Sequence, residues 1–265
     1  MGKVYLVGAG PGDPELLTVR AVRLLQRADV VLHDALVSAE IVALAGTPNG
    51  RTKVIDIGKR CGTKLLSQEE INALLIANAA EHEVVVRLKG GDPSIFGRAG
   101  EEIEALVEAN VRFEIVPGVT SAIAGAAAAG ISLTDRRFAA SVVFATAHRG
   151  QGAEAVAWDK LVASGSTLAI YMPGGNYEVL TGQLCGAGLD ARTPCAVISH
   201  AGCKTQRVLH SDLELLKSTE PLPAPSLLIV GECARALHGQ EEAMQRGDVA
   251  DALRSESRNK FEPFI

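Results

Sequence analysis

Residues 4–18 read VYLVGAGPGDPELLT. The apolar run at the start predicts a strand, the glycines and prolines after it predict a turn, and the remainder predicts a helix. A strand that leads through a glycine-rich turn into a helix is typical of nucleotide-binding sites. The spacing of the turn residues decides which ligand the loop suits.

That spacing argues against a dinucleotide. The Rossmann fingerprint requires a third glycine where this chain has Asp13, and Pro11 removes one of the amides that a phosphate would use. A carboxylate at the mouth of the loop would also repel a pyrophosphate. The loop suits a cationic ligand better, and the sulfonium S-adenosylmethionine is one such ligand.

A second loop has the same design. Residues 87–102 read RLKGGDPSIFGRAGEE, again after an apolar strand and before a helix. Gly90 and Gly91 permit backbone angles closed to other residues, and Pro93 restricts the chain after Asp92. No Gly-Lys-Ser/Thr follows, so the loop is not a P-loop. Two such loops at the carboxyl ends of strands in one sheet predict a ligand crevice there.

Composition excludes several classes of function. The chain has 265 residues, 47% of them hydrophobic, and a net charge of −5, so it has no overall basic field for nucleic acid. No apolar stretch reaches the roughly 20 residues of a membrane span. Five cysteines without a Cys-x-x-Cys pair indicate reduced thiols and a cytoplasmic protein. Cys195, His200 and Cys203 match no zinc spacing, so no metal is expected.

The pattern of strands and helices predicts two α/β domains, with residues 1–116 forming the first, 117–238 the second, and 239–265 a polar tail. In the first, valine- and isoleucine-rich segments alternate with helical ones, which indicates a largely parallel sheet. In the second, helices are sparser, and the strands between about 195 and 211 are expected to be antiparallel. An alanine-rich helix capped by Thr120 or Ser121 opens it. The predicted strands are 3–7, 29–33, 53–57, 84–88, 112–116, 140–145, 167–172, 195–200, 206–211 and 226–230, and the predicted helices of the first domain are 14–27, 38–45, 67–80 and 97–109.

Several motifs together resemble a known family. VYLVGAGPGDPELLT, DALVS, GKR, QEEIN, VVRLKGGDPSIFGRAGEE, VPGVTSA and GISLTDRR occur in the order seen in uroporphyrinogen-III C-methyltransferases. The resemblance runs over about residues 2–233. The RLKGGDP-IFGR block is specific to this family among the cobalamin-pathway methyltransferases, whereas the GAGPGDP loop is shared across the wider superfamily.

The resemblance implies two α/β domains of the tetrapyrrole methyltransferase (class III) type, a homodimer, and S-adenosylmethionine in the cleft between the domains. It also implies methylation of uroporphyrinogen III at C2 and C7 by way of precorrin-1, giving precorrin-2 for siroheme or cobalamin synthesis. Because the chain starts at the methyltransferase loop, we expect a monofunctional enzyme without a preceding dehydrogenase/ferrochelatase domain. Neither a nucleic acid nor a membrane is expected as a partner.

The resemblance also implies roles for individual residues. Asp34 matches the family's proposed proton acceptor and Lys59 its proposed proton donor. A local cationic surface is expected for a substrate with eight carboxylates, and its candidates are Arg60, Arg98, Arg136 and Arg137, with Lys59 beside them. The residues matched to cofactor binding are Pro11, Gly90, Gly91, Asp92, Ile95, Thr120, Ser121, Met172 and Ala201.

The chain departs from the family pattern around the expected tetrapyrrole pocket. The departures are Ser94, Ala99, Ala128, Asp135, Ala147 and Ala201. They spare Asp34, Lys59 and the Gly-Gly-Asp loop, so the reaction class is retained. Two alternatives stay open: a later precorrin C-methyltransferase of corrin synthesis, and, in a different class, a non-catalytic nucleotide-binding module.

Overall fold

The computed structural model describes residues 1–46, 50, 52–58, 66–148 and 155–235. Within them lie two five-stranded sheets, one formed by residues 3–116 and the other by residues 142–230. The strands are β1 (Lys3–Gly8), β2 (Val30–His33), β3 (Lys53–Asp56), β4 (Val84–Lys89), β5 (Arg112–Val116), β6 (Val142–Thr146), β7 (Thr167–Tyr171), β8 (Pro194–Ser199), β9 (Arg207–Asp212) and β10 (Ser226–Val230). The helices are α1 (Val19–Leu25), α2 (Ala39–Val42), α3 (Gln68–Glu81), α4 (Ala99–Glu108), α5 (Ser121–Ala128), α6 (Trp158–Ala163), α7 (Tyr177–Gly186) and α8 (Leu213–Lys217).

The first sheet is parallel throughout, in the order β3-β2-β4-β1-β5. Its central strands are apolar on both faces because helices cover both. On one face Val4 and Leu6 pack with Leu75 of α3 and Leu106 of α4. On the other face, helices α1 and α2 pack on a second cluster of buried residues that includes Val7.

The second sheet is mixed, in the order β6-β7-β10-β8-β9. Strands β6 and β7 are parallel, whereas β10 runs antiparallel to β7 and β8, and β9 antiparallel to β8. The antiparallel pairing expected around residues 195–211 is therefore confirmed. Helix α5 packs on one face of this sheet, and α6, α7 and α8 pack on the other.

The helix expected over residues 14–27 is divided in two. Residues Pro14–Leu16 form a 3₁₀ turn whose first amides are capped by Asp13, which accepts from Glu15 N at 2.9 Å. Helix α1 starts afresh after Thr18, whose hydroxyl accepts from Ala21 N at 3.1 Å. Each side-chain cap satisfies amides that a continuous helix would have bonded internally, so two short elements replace one long helix.

The loops after β1, β4 and β5 pack backbone against backbone. A Cβ atom added to Gly118 would overlap the carbonyl oxygen of Gly91 and lie 2.8 Å from the Cα of Gly8. Neither neighbour is the end of a flexible side chain, so neither can move aside cheaply. Glycine is therefore required at position 118 for the three loops to meet.

Gly118→Ala should lower the free energy of unfolding by about 3 kcal/mol, at the upper end of the usual cost of overpacking. Gly100→Ala is the matched control, since Gly100 is exposed on α4 and an added Cβ meets nothing within 4 Å. The control should change stability by no more than about 1 kcal/mol, in the stabilising direction. Urea denaturation of both variants measures the difference, and equal midpoints would contradict the steric argument.

Candidate functional site at the carboxyl edge

The site residues predicted in the first half lie at one edge of the parallel sheet. Asp34 directly follows β2, Gly90 follows β4, and Pro11 lies in the loop that follows β1. Because parallel strands end at a common edge, the topology brings these three loops together. Loop 117–120, which follows β5 beside β1, completes the edge.

Two of these loops are joined by an isolated antiparallel bridge just beyond the strands. Gly10 N donates to Gly91 O at 3.1 Å, and Gly91 N donates to Gly10 O at 2.7 Å. Both residues have positive φ angles, of 67° and 68°, which glycine adopts without strain. The glycines singled out in the sequence thus form the backbone contact that sets the spacing of the two loops.

Asp92 ties the same loops to the segment after β5. One carboxylate oxygen accepts from Gly118 N at 2.9 Å, and the other accepts from the amide of Ser94 at 2.8 Å and from its hydroxyl. The sequence pattern assigned Asp92 to a ribose or an amino group of a ligand. In the structure its carboxylate holds the loops in place.

The first loop offers few amides to an anion. Pro11 has no N–H, and the amide of Gly10 is already bonded to Gly91. The carbonyl of Gly12 accepts from the Ser38 hydroxyl at 2.9 Å. A phosphate group needs converging amide donors, so this geometry agrees with the exclusion of a dinucleotide.

The second half of the chain contributes to the site through Tyr171. Its hydroxyl lies 2.6 Å from Thr120 Oγ1 and accepts from Ala122 N at 3.2 Å. The ring of Phe96 lies 4.9 Å from the Tyr171 ring, and Ile95 packs on the same apolar cluster. Thr120 therefore bonds to Tyr171 instead of capping α5, which begins at Ser121 without a side-chain cap.

Met172 and Ala201 follow strands of the second sheet. Met172 has a φ of 50° and is 43% exposed, so its side chain does not fill the core. Ala201 is buried, and the loop after it reaches the first glycine loop. There the Cys203 thiol lies 3.6 Å from Pro11 O.

The Asp34 side chain is held by an arginine that the sequence analysis did not assign. Arg87 Nη2 donates to Asp34 Oδ1 at 2.6 Å, and Asp34 N donates to Leu88 O at 3.3 Å. The Arg87 side chain is 3% exposed and that of Asp34 is 31% exposed. A partly exposed carboxylate is thus fixed against a buried guanidinium.

Further charges lie beneath this pair. Glu102 on α4 is fully buried, and its Oε1 accepts from Arg87 Nε at 3.0 Å and from Lys89 Nζ at 2.9 Å. Burial lowers the pKa of Lys89, the neighbouring Arg87 cation acts in the same direction, and Glu102 opposes both. We name Asp34, Arg87, Lys89 and Glu102 the buried charge cluster.

The predicted substrate arginines are less organised. Arg98 pairs with Glu101 three residues away, at 2.6 Å, with both side chains about half exposed. Arg137 pairs with Asp135 in its own turn, which lowers the pKa of Asp135 to about 2. Arg136 is exposed beside it. Lys59 and Arg60 lie outside the described residues.

The sequence did carry a signal for the missed residues. Arg87 and Lys89 alternate on β4, which is otherwise valine and leucine, although the predicted strand ended one residue earlier at 88. The strand belongs to a sheet that was predicted to be largely parallel, and strands of such sheets are usually buried. Buried cations require anionic partners, so a carboxylate had to face them. Sequence could not name Glu102 as that partner, because the choice depends on where α4 packs.

Two further properties concern the described residues only. None of their helices is long and apolar enough to cross a bilayer. They contain no group of three or more His, Cys, Asp or Glu side chains arranged to hold a metal ion. Cys195 is buried in the core of the second sheet, and burial raises the pKa of its thiol to about 12.

The chain is similar to enzymes of tetrapyrrole synthesis. It is 47% identical over 255 residues to siroheme synthase 1 of Cronobacter sakazakii. The matched region covers 96% of this chain and 53% of that protein. It is 44% identical over 237 residues to the uroporphyrinogen-III C-methyltransferase of Priestia megaterium. The matched region covers 88% of this chain and 98% of that protein. The chain thus spans about half the length of the siroheme synthase and nearly all of the Priestia enzyme.

Its fold matches that of a solved methyltransferase. The structure of the uroporphyrin-III C-methyltransferase from Thermus thermophilus, complexed with S-adenosylhomocysteine, superposes with a TM-score of 0.77 at 38% identity. The match covers 89% of this chain and 100% of that one.

Fold and sequence identity together relate the chain to methyltransferases. The sequence model of the tetrapyrrole (corrin/porphyrin) methylase family matches residues 3–217, and the chain belongs to this family. The resemblance that the motifs indicated is confirmed, and so is the fold class of two α/β units.

Arg87 pairs with carboxylates inside the buried charge cluster, whereas Arg98 pairs with Glu101 at the surface. Loss of each arginine should therefore change stability by a different amount. Arg87→Met should lower the free energy of unfolding by about 3–5 kcal/mol, because Glu102 loses one of its two buried partners. Arg98→Met is the matched control, and losing its exposed pair with Glu101 should cost less than about 1 kcal/mol. Chemical denaturation distinguishes the two, and similar losses would contradict the burial argument.

Proposed function

We propose that the chain is a uroporphyrinogen-III C-methyltransferase that methylates C2 and C7 of its substrate, by way of precorrin-1, to give precorrin-2. The observation that carries the proposal is the Asp34 carboxylate, fixed by Arg87 beside the paired glycine loops. The similarity to the Priestia megaterium enzyme over nearly its whole length supports it.

The loops fit S-adenosylmethionine better than a phosphate-bearing ligand. Pro11 has no amide N–H, the amides of Gly10 and Gly91 are already bonded to each other's carbonyls, and Asp13 places a carboxylate on a loop that would meet a cation. A Cβ atom added to Gly91 would lie 3.8 Å from the Cα of Thr120, an ordinary contact distance, so a methyl group fits there without overlap. The residues proposed to hold the cofactor, in a cleft between the two domains, are Pro11, Gly90, Gly91, Asp92, Ile95, Thr120, Ser121, Met172 and Ala201.

The protein's own part in the chemistry is positioning and proton transfer. When bound, S-adenosylmethionine supplies a methyl group that the sulfonium charge makes electrophilic. The loops hold the electron-rich pyrrole carbon in line with that group. The methylated ring must then lose a proton, and we assign Asp34 as the acceptor and Lys59 as the proton donor.

The substrate would be held by its carboxylates. Arg98, Arg136 and Arg137 are exposed cations, and we assign them with Lys59 and Arg60 to the substrate surface. Pairing with Glu101 and Asp135 keeps two of these guanidinium groups oriented before substrate arrives. Such a local surface would offset the net charge of −5.

The remaining assignments concern organisation. The proposed domains are residues 1–116 and 117–238, with a tail at 239–265, and the two sheets support the boundary because each lies within one domain. We assign the enzyme to the cytoplasm, as a homodimer that supplies siroheme or cobalamin synthesis.

Anaerobic incubation with uroporphyrinogen III and isotopically labelled S-adenosylmethionine tests the activity. Mass spectrometry should show a product that has gained two methyl groups. Asp34→Ala should lower the rate at least about 100-fold, the usual contribution of a general base. Asp159→Ala, which removes an exposed carboxylate on α6, should leave the rate unchanged.

Three other outcomes of this experiment would contradict the proposed activity. Cofactor binding with methylation only of later precorrins would identify a different corrin-pathway methyltransferase. Nucleotide binding without turnover would identify a non-catalytic module, and absence of cofactor binding would refute the proposal.

Gly91→Ala tests the cofactor loop directly. Its φ of 68° strains any other residue by about 1–2 kcal/mol, and the added methyl group would enter the space assigned to the ligand. Affinity for S-adenosylhomocysteine, measured by calorimetry, should fall about 10-fold or more. Gly165→Ala carries the same backbone strain at a φ of 64°, before β7, and should lose stability without losing affinity. Equal affinities in the two variants would remove Gly91 from the site.

A further inference from the structure

Glu102 occupies an unusual position for a carboxylate. It lies in the first turn of α4 yet has no exposed surface, and it faces β4, where Arg87 and Lys89 stand two residues apart. Because side chains alternate along a strand, these two cations share one face of the sheet. A single oxygen, Glu102 Oε1, accepts hydrogen bonds from both.

A buried cluster of charges is a costly way to stabilise a fold. Taking each ion out of water costs several kcal/mol, and well-packed apolar residues often stabilise a core equally well or better. The four charges of the cluster do balance, with two cations and two anions. This balance makes the cluster tolerable but gives no reason for it to be there.

The hydrogen bonds of Arg87 supply a reason. Its Nε donates to Glu102, its Nη1 donates to Leu88 O at 3.2 Å, and its Nη2 donates to Asp34. A guanidinium group is planar and rigid, so bonds at all three nitrogens fix its position and its plane. The direction in which Nη2 points is therefore set by Glu102 on the opposite side.

Asp34 is the member of the cluster with access to solvent, at 31% exposed against 3% or less for the other three. Its backbone is tied to β4 through Leu88 O, and its side chain is tied to β4 through Arg87. Any shift of the guanidinium would move the carboxylate oxygen relative to the loops beside it.

We infer that Glu102 is a positioning residue for methyl transfer, which clamps Arg87 from inside the protein and so fixes the Asp34 carboxylate at the carboxyl edge. The inference rests on the proposed function, in which Asp34 accepts a proton from the methylated ring. Glu102 touches neither substrate nor cofactor in this assignment, and it acts through Arg87.

A rate cycle between Glu102→Gln and Asp34→Asn tests the inference. Glutamine keeps the size of the side chain and removes the charge that holds Arg87. Alone, it should lower kcat about 10- to 100-fold, the usual effect of misplacing a reacting group by about 1 Å, while both KM values and the affinity for S-adenosylhomocysteine change less than 2-fold. In the Asp34→Asn background, it should have no further effect, because the group it positions is gone.

Two variants separate positioning from folding. Glu102→Gln combined with Lys89→Met removes one anion and one cation, so no extra unpaired charge stays buried and stability should recover. The kcat of this double variant should stay low, because the neutral amide of glutamine holds Arg87 less tightly than the carboxylate does. Glu104→Gln, on the exposed side of the same helix, is the matched control and should have normal kcat and stability.

A crystal structure of Glu102→Gln gives a readout that does not depend on turnover. It should show the contact between Arg87 Nη2 and Asp34 Oδ1 lengthened beyond its present 2.6 Å. An intact contact, an unchanged kcat, or an equal loss of rate in both backgrounds would each overturn the inference. Failure of the wild-type protein to methylate uroporphyrinogen III would instead refute the proposed function, and the crystal contact would still test the clamp.

Discussion

The site depends on three loops that approach one another with no side chains between them. Gly8, Gly91 and Gly118 come so close that a Cβ added to Gly8 or to Gly118 would overlap a backbone atom of a neighbouring loop. The reciprocal bonds between Gly10 and Gly91 hold two of these loops together. The two amides of this contact are used within the protein, so they are not available to a phosphate. Backbone packing thus removes two of the donors that a phosphate site would need.

Charged side chains near this edge of the sheet form two kinds of ion pair, one exposed and one buried. Arg98 and Glu101 pair at the surface, where water screens them and either can turn towards a ligand. One residue further along, Glu102 pairs inward with Arg87 and Lys89, where neither screening nor rearrangement is available. Adjacent glutamates on one helix turn therefore have different partners: Glu101 pairs with an exposed arginine, and Glu102 pairs with a buried one.

Much of the fold could be predicted because each half has a distinct pattern. The central strands of the first sheet are buried on both faces, so they appear in the sequence as short runs such as VVLH, bounded by turns. The expected edge of glycine loops followed from that topology. The division of the helix over 14–27 escaped prediction because the caps at Asp13 and Thr18 compete locally with helix formation, and spacing alone does not decide that competition.

Site residues that directly follow a strand could be predicted from the sequence. Contacts that depend on how separate elements pack together could not. Asp34 could be named because it ends a strand and matches a family motif. Its partner Arg87 was visible in the sequence, but its direction depends on α4. Thr120 or Ser121 was expected to cap α5. Instead, the Tyr171 hydroxyl from the second sheet bonds the Thr120 hydroxyl and accepts from the helix amide of Ala122.

That exchange has a consequence for how the site is assembled. A helix capped by its own threonine would start at the same place whether or not the second sheet were folded. Here the start of α5 is fixed by Tyr171, whose ring also packs on Phe96 from the loop after β4. The 117–120 segment is held from the other side by Asp92 through Gly118. Both sheets must therefore be in place before the segment between them takes its final position, because each end of it is bonded to a different one.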